Sequence, residues 1–185
     1  MEIRELNPSD TASYRAIRIQ ALDEWPPAFG SPAVEEKEKS IEETERFLSG
    51  SKERKLFGSF DGHKLTGIIR HSLYSGSNEG HRAYIAGLYV DPDHRGQGIG
   101  RALLARGIEE SKKNNEIRRL NLNVVSDQKA AISLYESMGF EKCGIDYEAF
   151  SAKGRYFDEI LMTKPIERSL SNKTGILTPG AAPLP

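Results

Sequence analysis

The chain has 185 residues, 29% of them charged, and a net charge of −1, which fits one soluble globular domain and gives no electrostatic case for nucleic acid or an anionic membrane surface. Its one cysteine, Cys143, excludes an intrachain disulfide, and four scattered histidines give no metal-ligand spacing, so no metal is expected. No apolar run is long enough to cross a membrane, and the charged start Met1-Glu2-Ile3-Arg4-Glu5 lacks a signal-peptide core, so a cytoplasmic location is expected.

Glu2 to Leu6 alternates as a short strand. Asn7-Pro8-Ser9-Asp10 offers a helix N-cap, and Tyr14, Ile17, Ala21 and Trp25 recur at helical spacing until Pro26-Pro27. Trp25 to Gly30 mixes aromatics with turn formers and reads as a packed corner or as a wall of a substrate pocket. Ser31 to Lys39 is polar and acidic and is expected to be a mobile connection. Ser40 to Leu48 predicts a second helix that buries Ile41, Phe47 and Leu48. Asp61-Gly62-His63 lies between two strand-like runs, Lys55–Phe60 and Lys64–Tyr74, and predicts a hairpin. After a polar loop, Ser75 to Gly80, the run Ala83–Val90 predicts a buried strand.

Asp91 to Arg101 then forms a Gly-rich turn before a helix that shares Ile99, Leu103, Leu104 and Ile108 on one face. Close glycines admit a ligand to the backbone, and unpaired N–H groups at a helix start favour an anion such as phosphate. A P-loop is excluded, because Arg101-Ala102 follows Gly100 where Lys-Ser/Thr is required. The dinucleotide fingerprint also fails, since Arg101 or Leu103 occupies its third glycine position. Asn114-Asn115 breaks the helix, and Arg119 to Val125 alternates as a strand, which implies a right-handed parallel crossover. Ser126-Asp127 can cap a helix burying Ala130, Ala131, Leu134, Tyr135 and Met138, ended by Gly139. Two strands follow, about Phe140–Ala149 and Arg155–Met162, and residues 165–185 read as an irregular tail.

The pattern Arg95-x-x-Gly98-x-Gly100 resembles the pyrophosphate loop of the GNAT superfamily of acetyl-CoA-dependent N-acetyltransferases. Ala131-x-x-Leu134-Tyr135-x-x-x-Gly139-Phe140 is similar to that family's later motif, and Tyr156–Met162 to its closing strand. The resemblance covers residues 1–164. It implies an α/β fold: a mixed, mainly antiparallel sheet of about seven strands flanked by helices and splayed between Ala83–Val90 and Arg119–Val125. It implies that Leu88, Tyr89 and Val90 meet the pantetheine arm of acetyl-CoA and that Arg95, Gly96, Gln97, Gly98, Ile99, Gly100 and Arg101 hold its pyrophosphate. Gln128 stands where the family often has asparagine, and its extra methylene changes its reach.

The implied reaction is direct acetyl transfer to a primary amine, on a small molecule or a protein. A thioester needs no protein nucleophile, but a lysine-like amine must shed its proton, which costs roughly 4.6 kcal/mol at pH 7. The resemblance makes Tyr135 the acid for the departing thiolate. The family's base positions hold Asn123 and Tyr84, neither of which is a good base at neutral pH. The reaction then calls for ordered water, for an amine of lower pKa, or for His71 or His81 acting through water. The alternative is a catalytically weak domain that binds acyl-CoA as a sensor or scaffold. Cys143 is disfavoured as an acyl carrier, and a homodimer is compatible with the chain.

Overall fold

The computed structural model describes residues 1–26, 33–76, 78–152 and 154–167. Among the described residues there are seven strands: β1 (Glu2–Glu5), β2 (Arg54–Asp61), β3 (Lys64–Leu73), β4 (Arg82–Val90), β5 (Arg119–Val125), β6 (Glu141–Ala152) and β7 (Arg155–Pro165). They form one sheet in the order β1-β2-β3-β4-β5-β7-β6. Among these described strands β4 and β5 run parallel and the other neighbouring pairs antiparallel. The predicted hairpin closes with Asp61 opposite Lys64 and Gly62 in the left-handed region at φ 55°.

Helices α1 (Thr11–Glu24), α2 (Ala33–Glu38), α3 (Ile41–Leu48), α4 (Ile99–Lys113) and α5 (Lys129–Ser137) flank this sheet. Alternating sheet residues feed two cores. Phe57, Ile69 and Ile85 join Leu103 and Leu104 of α4, while Leu56 and Ile68 join Tyr14, Ile17 and Ala21 of α1. Leu103 and Leu104 are fully buried, and each contributes about 2 kcal/mol on leaving water.

The feature that positions the site is the end of the β4–β5 pairing. It runs from Arg82 opposite Arg119 to Ile85 opposite Leu122 and stops there. Two residues on lies Gly87, at φ 62°, beside an irregularity in register where Ile68 pairs with Tyr89 but Arg70 with Ala86. One strand has three steps where its partner has two, and such a bulge bends the longer strand away from its neighbour. The expected splay is therefore present, with a bulge beside it.

Four local expectations change. The segment read as a mobile connection contains α2, whose Glu36 is only 4% exposed and is paired with Lys39. Ile41 is 59% exposed, because the inward face of α3 is set by Thr44 and Leu48. Ser126-Asp127 does not cap α5: Gln128 occupies the cap position without a side-chain bond. The ordered chain also passes the expected boundary at 164, since Ile166 is buried and its N–H donates to Arg118 O. The rest of the expected tail, 168–185, lies outside the described residues.

Candidate active site

The splay opens a cleft of about 490 Å³ between β4, β5, α4 and α5. Leu88, Tyr89, Val90, Arg95, Gly96, Gly98, Ile99, Gly100, Arg101, Gln128 and Tyr135 all line it. Gln97 does not; it is exposed outside the lining. Beyond Ile85, β4 stays paired to β3 on one edge and is unpaired toward β5 on the other. That free edge carries backbone groups facing the gap.

At the cleft's end the Gly-rich turn meets α4. Gly96 and Gly98 have φ of 76° and 80°, a region that favours glycine, and an added Cβ at either would stand in open space. The helix ladder begins with Ala102 N–H donating to Gly98 O. The N–H groups of Ile99, Gly100 and Arg101 thus precede the ladder and are available to an anion, so the turn fits a pyrophosphate. Arg95 spans the mouth. Its guanidinium makes 2.8 Å contacts with both Glu24 oxygens and its Nε donates to Val90 O. Tyr89 Oη also donates to Glu24, at 2.7 Å. The Arg95 bond, more than the Tyr89 bond, holds the Glu24 carboxyl below its usual range. Arg101 reaches α5 instead, donating to Ser137 Oγ at 2.7 Å.

The face of α5 expected in the core explains itself here. Ala130, Ala131 and Leu134 line the cleft, and Ile132 takes the core position. Tyr135 does both: it is 7% exposed, packs edge-on to Phe140 and lines the cleft. Burial raises its phenol pKa, with a smaller contribution from Tyr84.

A second chamber of about 430 Å³ lies against the first and shares Ala86, Gly87 and Asn123 with it. Tyr14, Arg18, Glu36, Lys39, Phe47, Arg70, Tyr84, Phe150 and Glu159 contribute to its walls. The structure thus divides the three expected catalytic residues: Tyr135 lines the cleft, Tyr84 the second chamber, and Asn123 both. Tyr84 is raised to about 12 by burial and then by nearby Glu159.

Glu159 is the residue that the sequence reading missed. Asn123 Nδ2 donates to Glu159 Oε2 at 2.8 Å, and burial raises the carboxyl pKa against that bond. The signal was an acid at period two with Phe157 and Leu161, on the strand face it shares with them. Neither expected histidine lines either chamber. His71 is buried at 2.9 Å from Ser111, and His81 is exposed in the turn before β4. Cys143 is exposed on β6. Of the segment expected to wall a pocket, Trp25 lines the cleft and residues 27–30 lie outside the described residues; Phe150 of β6 lines the second chamber. Among the described residues no group of His, Cys, Asp and Glu could hold a metal ion.

The model of the acetyltransferase (GNAT) family matches residues 15–140, which is most of the chain. The chain belongs to the GNAT family. The [ribosomal protein bS18]-alanine N-acetyltransferase of Escherichia coli K12 is 39% identical over 84 residues, 45% of this chain and 56% of that relative. The match thus spans little more than half of that curated relative's length. A GNAT-family acetyltransferase from Streptococcus pneumoniae superposes with a TM-score of 0.78 at 26% identity, over 90% of this chain and 99% of its own. The GNAT fold is shared as well by an acetyltransferase from Salmonella typhimurium solved with acetyl-CoA (TM-score 0.76, 23% identity, 94% of this chain and 98% of that one).

Proposed function

We propose that this GNAT protein transfers an acetyl group from acetyl-CoA directly to a primary amine in a ternary complex. The observation that carries the reading is the pair of chambers meeting at Ala86, Gly87 and Asn123, with Glu159 on one side and Tyr135 on the other. When bound, acetyl-CoA supplies the acetyl group as an activated thioester.

The turn from Gly96 to Arg101 binds the pyrophosphate, Leu88 to Val90 offer their free edge to the pantetheine arm, and Gln128 borders it. Glu159 takes a proton from the acceptor ammonium, directly or through one water. Its raised pKa brings it closer to neutral pH, where a base is most effective. Asn123 acts as a positioning residue, fixing the carboxylate toward the gap. Tyr135 remains a neutral phenol at pH 7 and donates its proton to the departing sulfur. A thiol leaving inside the cleft has its own pKa raised by burial, which strengthens it as the acceptor of that proton. The balance closes with two protons leaving the nitrogen: the ammonium gives the first to Glu159, the N–C bond forms and the C–S bond breaks as Tyr135 protonates the sulfur, and the second nitrogen proton restores the Tyr135 phenol through water while Glu159 releases its proton to solvent.

The single domain expected over residues 1–164, with Ile166 packed onto it, carries this reaction, and we place it in the cytoplasm. The family relative acting on an alanine of a ribosomal protein keeps protein amino groups, beside small amines, among the acceptors. The case for a non-catalytic binding domain rested on the missing carboxylate, and Glu159 removes that reason. The test is release of free CoA from acetyl-CoA over a panel of primary amines. Tight acetyl-CoA binding with no release on any amine overturns the enzyme reading.

A further inference from the structure

A third groove, of about 290 Å³, opens on the sheet face that carries the second chamber. Arg119, Asn121 and Asn123 recur at period two on β5 and so share that face, while Leu120 and Leu122 between them are buried on the other. On β7, Thr163 stands opposite Asn121 and Leu161 opposite Asn123. These residues line the groove, with Tyr74 and Arg82 of β4 on one side and Cys143 of β6 on the other. Asn123 also lines the second chamber, where its amide holds Glu159, so the groove leads away from the candidate base. Its far end is Arg119, the first residue of β5.

Two arginines and no acid are among the groove's lining residues. The two are not equivalent. Arg82 is engaged: its Nη1 lies 3.5 Å from Glu79 and its guanidinium stands over the Tyr74 ring. The Arg119 side chain is exposed and makes no hydrogen bond or ion pair among the described residues. Between Asn123 and Arg119 the floor is polar, with the Asn121 amide and the Thr163 hydroxyl hydrogen-bonded at 2.7 Å. Amide and hydroxyl groups can both donate to and accept from a peptide backbone. Four steps of strand separate Asn123 from Arg119, a distance of about 13 Å. An extended peptide advances about 3.3–3.6 Å per residue and covers that distance in about four residues. A polyamine of the same reach would bring an ammonium to Arg119, with no acid in the lining to receive it.

We propose that the acceptor is the α-amino group of an extended peptide chain, which leaves the second chamber past Asn123, lies along β5 and β7, and sets an acidic side chain at its fourth or fifth residue against Arg119. The inference rests on the acetyltransferase reading above and specifies its substrate class. A guanidinium matches a carboxylate's planar pair of oxygens, so the contact fixes the register of the chain as well as binding it. The choice of amine also suits the base. An α-amino group has a pKa of about 7.8 against about 10.4 for a lysine side chain, so Glu159 has less to remove.

Steady-state CoA release is measured with acetyl-CoA and amidated hexapeptides of alanine and serine with a free N-terminus. One Glu is placed at each position from two to six in turn, each peptide beside its Gln counterpart, and alaninamide serves as a short acceptor. The gain in kcat/KM of Glu over Gln is expected to peak at position four or five, at about fivefold, the upper range for an exposed charge pair, and to shrink with added salt. Arg119→Gln brings that ratio to one, and Arg119→Glu moves the preference to Lys at the same position. Acetyl-CoA affinity, read by calorimetry, shows that each variant has folded. A gain that is absent, or that peaks elsewhere, overturns the subsite and leaves the acetyltransferase reading standing. A gain at position four or five that survives Arg119→Gln overturns the assignment to Arg119. CoA release with alaninamide but with no peptide overturns the peptide acceptor alone. Absence of CoA release with every amine overturns the acetyltransferase reading and this inference with it.

Discussion

Glu159 and Tyr135 titrate in the same direction for opposite uses. Burial disfavours both anions. For the carboxyl this raises proton affinity and makes a better base; for the phenol it preserves a proton to give. Glu159→Gln keeps an acceptor for Asn123 and removes the base, so kcat is expected to fall about 100-fold or more with acetyl-CoA affinity unchanged. Steady-state kinetics beside calorimetry checks this; full activity in the variant removes Glu159 as the base. Asn123→Ala tests positioning separately. Its hydrogen bond lowers the Glu159 pKa, so its loss moves the acid limb of the kcat/KM profile to higher pH. A limb that stays in place argues that another group titrates. Tyr135→Phe keeps the packing against Phe140 and removes the proton, so turnover falls by roughly 100-fold, the lower range for a general acid. A thiolate is a better leaving group than most, which is why the lower range applies.

At the scale of elements, α4 owes its close approach to β4 to Gly107. A Cβ there would stand 2.6 Å from Ile85 Cδ1, and Ile85 is 2% exposed, the last paired residue before the splay, and part of the cleft wall. Gly107→Val therefore overpacks the hinge of the splay and is expected to cost about 2 kcal/mol of stability. It is also expected to weaken acetyl-CoA binding, because the displaced Ile85 lines the cleft. Chemical denaturation and acetyl-CoA titration of one sample measure both; unchanged binding would separate the packing from the site. The strands, the Gly-rich turn and the lining of the cleft were legible because each is a local pattern: Asp61-Gly62, Gly96 to Gly100, Leu88 to Val90. The second chamber was not. It gathers Arg18, Arg70, Tyr84 and Glu159 from α1, β3, β4 and β7, and nothing local to Glu159 says that β7 lies beside β5. Asn123 at the expected base position was thus read as a loss, when its amide holds the carboxylate one strand away.

For the whole molecule, the buried histidine predicts how stability responds to acid. His71 on β3 is 4% exposed and lies 2.9 Å from Ser111 of α4, which is fully buried. Burial, opposed only in part by Glu110, lowers its pKa from 6.5 to about 4. Between those values the unfolded chain takes up a proton that the folded chain refuses, so stability falls as pH falls from about 6.5 toward 4. The full effect is about 3 kcal/mol, a substantial part of a typical domain's stability. The neighbouring acid does not blur this window. Burial alone would raise Glu110, but Lys55, Lys113 and Arg106 outweigh it and hold it at about 2. Its depressed pKa contributes stability that is present above the unfolded value and is lost only as pH falls below 4.5 toward 2. Urea unfolding at pH 7.0, 6.0 and 5.0 should show a steady loss of stability, and His71→Gln, which cannot take the proton, should flatten it. A slope that persists in the variant would assign the proton uptake to another group and leave His71 as packing alone.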